Sequence, residues 1–291
     1  MHDLEQLFEQ GTLHHRNNEL ENACRIYRTI LEEIPDSPLV NYNLGLALFQ
    51  EGNLEHSYRH YKKALVQAPR EVDILYNLAL CTKKRGYLKE AIELYRHILT
   101  LQPKDIDSLY NLGCCYTEIG WENRAMELYR QVLNLEHNHT SALNNLAFLC
   151  HKNEEYNAAE SYYARLLEIH PDHHAASHLL SSLRGDTCSN APPQYIEEVF
   201  DNYSNHYDTS LVTELEYNVP NIMRRRFNTL FSPIRGSLNI LDLGCGTGLA
   251  GEAFYDLCAS LTGVDLSSKM IAIAEQKHFY DWLHTEEIAS F

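Results

Sequence analysis

The chain has no CxxC pair, no long uncharged apolar run and a shortage of basic residues. The first shortage argues against a clustered zinc or redox motif. The second falls short of the roughly 18 apolar residues that a membrane-spanning helix needs. The third is a balance of 24 Lys+Arg against 40 Asp+Glu, a formal net charge of −16. Such a field repels phosphate backbones and anionic lipid, so neither nucleic acid nor membrane is expected as a partner. Eight cysteines, at 24, 81, 114, 115, 150, 188, 245 and 258, are scattered apart from one adjacent pair. The opening MHDLEQLFEQ carries acids where an export signal needs a basic end. Reduced, buried thiols and a cytoplasmic location are therefore expected. What is present is a globular composition, 44% hydrophobic and 22% charged over 291 residues, enough for about two domains.

A repeat of 34 residues fills the first two thirds. Tyr27, Tyr61, Tyr95, Tyr129 and Tyr163 keep that step, as do Leu31, Leu65, Leu99, Leu133 and Leu167. A small residue recurs at Ala23, Ser57, Ala91, Ala125 and Ala159. Leu44, Leu78, Leu112 and Leu146 are each followed by Gly or Ala. Gly52, Gly86 and Gly120 mark a turn between helices, with Asn18 and Glu154 standing there in the outer repeats. Pro35, Pro69, Pro103 and Pro171 also share the register and are expected to start successive units. Apolar residues at i, i+3, i+4 and i+7 make each unit a pair of helices.

These positions resemble the tetratricopeptide repeat. The resemblance implies five units, 4–37, 38–71, 72–105, 106–139 and 140–173, with a closing helix at 174–184. Residues 1–184 are then an all-α solenoid in which stacked neighbours bury a continuous core. It also implies an inward-looking groove. Asn43, Asn77, Asn111 and Asn145 share one repeated position there, next to Tyr42, Tyr76 and Tyr110. A carboxamide ladder with donor and acceptor on each side chain suits the backbone of a bound peptide or protein segment. The alternative is that the amides bond only neighbouring helices.

Residues 185–193 read as a polar, proline-ended linker. Beyond it, helical pieces broken near Pro220 lead to LNILDLGCGTG. Leu238, Ile240, Leu241 and Leu243 make a short buried strand running into Gly244, Gly246 and Gly248. A helix follows, then a second strand ending in Asp265, then a helix from SKMIAIAEQ. That order opens a parallel α/β sheet of Rossmann-like type. A third strand is expected to begin only at Ile288–Phe291. Gly246, Gly248 and Gly251 satisfy GxGxxG, so a nicotinamide or flavin site is one reading.

The fuller string from Asp242 to Gly248 resembles the first motif of class I S-adenosylmethionine-dependent methyltransferases. The resemblance covers about 185–291, with the domain itself at 194–291, and implies S-adenosylmethionine as cofactor. It implies contacts from Asp242, Gly244, Cys245, Gly246 and Gly248, with Asp265 on the ribose hydroxyls and Leu266 and Met270 alongside. Phe200-Asp201-x-Tyr203 and Tyr207-Asp208 are similar to the cofactor-capping helix of the ubiquinone-biosynthesis type, through Tyr203 and Tyr207. That family has a seven-stranded sheet, so the chain is expected to hold only its first half. The acid near adenine and the acceptor side are then expected outside it, with little turnover. Methyl transfer from an activated donor asks little of side chains, so the sequence points to no catalytic residue. A vestigial half domain beside a binding scaffold is the alternative, and the open sheet edge predicts self-association. No metal site is expected from His170, Asp172, His173, His174 and His178, and Arg224–Arg226 are expected on a solvated helix face.

Overall fold

The computed structural model describes residues 2–186 and 191–291. Cys188 and the middle of the expected linker lie outside the described residues. Contacts divide the chain into two compact units, Met1–Ile169 and His170–Phe291.

The first unit is five helix pairs. They are α1 His2–Arg16 with α2 Leu20–Glu33, α3 Pro38–Gln50 with α4 Leu54–Gln67, and α5 Val72–Lys84 with α6 Leu88–Leu101. Then come α7 Ile106–Glu118 with α8 Glu122–Leu135, and α9 Thr140–Lys152 with α10 Tyr156–Ile169. Side-chain caps start several of them: Ser37 accepts from the Val40 N–H, Asp105 from Ser108 and His139 from Ala142. Each pair closes through a residue in the left-handed region. Gly52, Gly86 and Gly120 have φ of 81°, 82° and 77°, and Asn18 and Glu154 adopt 61° and 62° at the same place. Pro35, Pro69 and Pro103 sit in the turns after the helix C-caps Ile34, Ala68 and Gln102. They end the second helix of a unit instead of starting the next, because proline has no N–H to continue the helix.

The five repeated tyrosines are fully buried. Their rings explain the small residue after the repeated leucine. A Cβ at Gly45 would come within 2.7 Å of the Tyr61 ring, and one at Gly113 within 2.6 Å of Tyr129. Gly11 stands in the same relation to Tyr27.

The second unit opens with α11 His174–Arg184, the helix expected to close the repeats, which here packs on α12 Pro193–Asp208. A π-helical run Thr209–Glu214 follows, then α13 Val219–Phe231, whose first turn holds Pro220. The sheet region is β1 Leu238–Leu243, α14 Leu249–Phe254, β2 Cys258–Asp265, α15 Ser268–Gln276 and β3 Trp282–Thr285. The three strands are parallel in the order β1-β2-β3.

The third strand thus comes before Ile288, not at it. Asp281 sets its register: its N–H donates to the Leu261 carbonyl at 2.9 Å, and its Oδ2 accepts from the Leu261 N–H at 2.8 Å. β1 is also less buried than its apolar content predicts. Leu241 and Leu243 are 50% and 51% exposed, while Leu238 and Ile240 on the opposite face are half-buried. Successive residues of a strand point to opposite faces, and only one face of β1 is covered among the described residues. Nor is Arg224 solvated. It grips the Asp256 carboxylate with both terminal nitrogens at 2.7 and 3.1 Å and the Ala253 carbonyl at 3.1 Å, tying α13 to the end of α14.

The described cysteines are free thiols; 24, 81, 115, 150 and 245 are buried, and 114 and 258 half-buried. No described helix is long and apolar enough to cross a membrane. No group of metal-ligating side chains assembles among the described residues. His173 instead caps α11 through the Ala176 N–H, and His178 stacks on Tyr195.

Candidate functional site

In the first unit the asparagine position lies on the first helix of each pair, and α1 touches α3 as α3 touches α5. The amide of Asn77 donates to the Tyr42 hydroxyl at 3.0 Å and to the Asp73 carbonyl, four residues back, at 2.9 Å. Asn111 repeats this with Tyr76 at 3.2 Å and the Asp107 carbonyl at 2.9 Å. Asn145 reaches Tyr110 at 3.4 Å and Tyr129 at 3.3 Å. Among the described residues Asn43 bonds the Leu39 carbonyl alone; the residue 35 places back is Phe8, which has no hydroxyl. Three of the four asparagines named from the sequence, Asn77, Asn111 and Asn145, are therefore brought together with Tyr42, Tyr76 and Tyr110 as rungs between successive repeats, and Asn43 is not. Each ring also packs on a buried tyrosine of its own repeat, Tyr42 on Tyr61 and Tyr76 on Tyr95. Burial raises the phenol pKa of Tyr42 and Tyr76, and raises that of Tyr110 to about 12.

In the second unit the strand ends build a cavity of about 690 Å³. Gly244, Gly246 and Gly248 have φ of 76°, 53° and 89°, a run that bends the chain sharply out of β1. Asp265, at the end of β2, is fixed by two backbone donors: the Gly246 N–H at 2.8 Å and the Ser267 N–H at 2.9 Å. Five of the eight cofactor candidates line the cavity: Gly244, Gly246, Asp265, Leu266 and Met270. The other three do not line it. Asp242 accepts from the Tyr280 hydroxyl at 2.7 Å, and burial raises its pKa against that bond. The Cys245 thiol is buried, which pushes its pKa up to about 12. Gly248 leads into α14 beneath the Tyr280 ring.

Three contributors were not singled out by sequence. Tyr280 fills the space over Gly251 and Gly263, where a Cβ would meet it at 2.5 and 2.8 Å. Glu287, beyond the third strand, also lines the cavity. The third is the way α12 is anchored. Asp201 accepts from the Ser267 hydroxyl at 2.6 Å and from the Lys269 N–H at 3.3 Å. Asp208 binds Thr247 in the glycine loop and Lys277 at 2.6 Å. Of the two tyrosines, Tyr207 lines the cavity with Phe200, whereas Tyr203 is 40% exposed and packs on Tyr207.

Comparison with known proteins matches both units. Residues 240–286 match a methyltransferase domain, and residues 42–106, 94–127 and 140–173 match tetratricopeptide repeat families. No curated protein matches. Among solved structures, MamA aligns with TM-score 0.53 at 20% identity, over 54% of this chain and 92% of that one. A MamA from Desulfovibrio magneticus RS-1 gives 0.56 at 17%, over 58% and 96%. YrrB, described as a tetratricopeptide protein with an unusual peptide-binding site, gives 0.54 at 22%, over 60% and 89%. At these identities the likeness is one of fold. The chain is a tetratricopeptide-repeat protein that carries, after its repeats, a segment of methyltransferase-domain type.

Proposed function

We propose that the chain is a peptide-binding repeat scaffold whose second unit holds S-adenosylmethionine for methyl transfer. The observation that carries the cofactor reading is Asp265, fixed by two N–H donors at a strand end beside a left-handed glycine loop. A carboxylate so held keeps lone pairs for two ribose hydroxyls. The cavity fits the rest of the molecule. Among the described residues its charged lining is Asp265 and Glu287, with no Lys or Arg. That favours a sulfonium and an amino group, and it repels the pyrophosphate of a dinucleotide. Gly244 and Gly246 leave the backbone open to close approach, since the nearest atoms to a Cβ there are 3.8 Å away. Leu266, Met270, Phe200 and Tyr207 supply apolar surface. The cofactor would bring an already activated methyl group, and the chain's part is to bind it, orient it and exclude water.

The peptide reading rests on the repeated Tyr–Asn face and on YrrB, a fold neighbour with a peptide-binding site. The exposed Leu241 and Leu243 support self-association through β1. A cytoplasmic setting agrees with free thiols.

Calorimetric titration of S-adenosylmethionine into the full chain and its Asp265→Ala variant tests the cofactor reading. Micromolar binding that weakens at least about tenfold in the variant supports it. No heat with either protein leaves the second reading, a binding scaffold beside an inert sheet unit.

A further inference from the structure

The Tyr–Asn rungs define which chemistry the repeat face offers a partner. We infer that the first helices of the second to fourth repeats take an extended peptide carrying Lys or Arg side chains at two places one repeat apart. This rests on the peptide reading above and names its ligand class.

The argument is an accounting of donors and acceptors. A carboxamide has two N–H donors and one oxygen acceptor. At Asn77 both donors are engaged, by the Tyr42 hydroxyl and the Asp73 carbonyl. At Asn111 they are engaged by Tyr76 and the Asp107 carbonyl. What each amide has left is its oxygen, an acceptor. Around each rung stand two carboxylates at repeated positions. Glu71 and Asp73 stand at the start of α5, and Asp105 and Asp107 at the start of α7; the Asp73 and Asp107 carbonyls take the Asn77 and Asn111 amides one turn on. Asp105 caps α7 through one oxygen. Asp73, Glu71 and Asp107 are exposed and make no ion pair among the described residues. The cations next to them in sequence, Arg70 and Lys104, are likewise in no ion pair there. Other acids of the unit do find cations, as in Lys83–Glu118, Arg85–Glu55 and Lys152–Glu122.

Each rung therefore offers one hydroxyl proton, on the tyrosine, against an amide oxygen and two carboxylates. A peptide backbone satisfies the first two with its C=O and N–H. The carboxylates call for a cation, and the pattern recurs at the next rung. An acidic peptide would place like charges together, which costs affinity.

The test is selection from a phage-displayed library of random peptides of about 12 residues, roughly 40 Å when extended. The bait is the full chain, and winners are remeasured as synthetic peptides by fluorescence anisotropy. Enrichment of peptides with two or more Lys or Arg is expected. Their affinity should fall about tenfold with Asp73→Asn/Asp107→Asn and less than about twofold with Glu93→Gln/Glu127→Gln, which removes as much charge from second helices. Winners that are acidic or uncharged, or that lose equally in both variants, overturn the cationic class. If such winners still lose binding in Asn77→Leu/Asn111→Leu, the face remains a peptide site and only its chemistry was misassigned. Winners indifferent to that double variant, or no enrichment, remove the peptide reading and this inference together.

Discussion

The repeat unit and the sheet unit solve the same problem by different means. In the repeats one device recurs: a tyrosine is fully buried in each of the five, and at Gly11, Gly45 and Gly113 it lies against a glycine of the preceding helix. In the sheet unit, α12, α13 and the glycine loop are tied by single charged side chains, Asp201, Asp208 and Arg224, each used once. A repeated device spreads its load over neighbours, whereas a unique tie has no understudy. Both units leave apolar surface open: Leu13, Leu39, Val66 and Phe148 of the repeats are more than half exposed. Large apolar residues such as Leu230, Phe231, Ile234, Leu241 and Leu243 are at least half exposed in the sheet unit.

The strongest way to break this comparison is inside the repeats. Tyr95→Ala removes a fully buried ring from the central pair and should cost about 4 kcal/mol in urea unfolding followed by helix signal. A cost below about 1 kcal/mol would show that the tyrosines are filler and not the core. Next, Asp201→Ala/Asp208→Ala should cost about 2–3 kcal/mol in the sheet unit, read as faster amide exchange along α12 with the repeat helices unchanged. Equal exchange in both proteins would mean that α12 is held by its apolar face alone.

A smaller effect depends on pH. Burial lowers the pKa of His60 to about 4, with its ring bonded to the Asn41 oxygen at 2.9 Å. The unfolded chain takes up this proton near the ordinary value of 6.5, the folded chain only near 4. Stability from this group is thus complete above pH 6.5 and declines as pH falls toward 4, by about 1–2 kcal/mol. His60→Gln should flatten that part of the profile. The smallest change concerns the turns. Glu154 holds a φ of 62° without glycine's freedom, so Glu154→Gly should stabilise the repeats by about 1 kcal/mol. No gain in melting midpoint would mean that its side chain repays the strain.

The repeats were legible because each position is written several times. Even the exceptions could be read: Asn18 and Glu154 occupy the left-handed turn that their place in the register requires. Gly11 is hard to read because the first repeat departs from the others around it. The sheet unit is written once. Its glycine loop and Asp265 were visible as a string, but β3 was not, since Trp282–Thr285 lacks an apolar run and owes its place to Asp281. Tyr280 acts through Gly251 and Gly263, remote in sequence, and no local pattern announces such a contact. In α12 the aromatic residues drew attention, while the carboxylates beside them make the anchoring bonds.

The rungs have a last consequence, for how such a chain changes length. Each joins a tyrosine to the asparagine 35 residues later, in the neighbouring repeat. Excising one whole period, residues 72–105, would bring Asn111 to that same separation from Tyr42 and restore the bond with no new residue. Duplicating a period would do the same in reverse. The donor and acceptor of every rung are thus interchangeable parts, and the array can gain or lose members while its internal wiring stays correct.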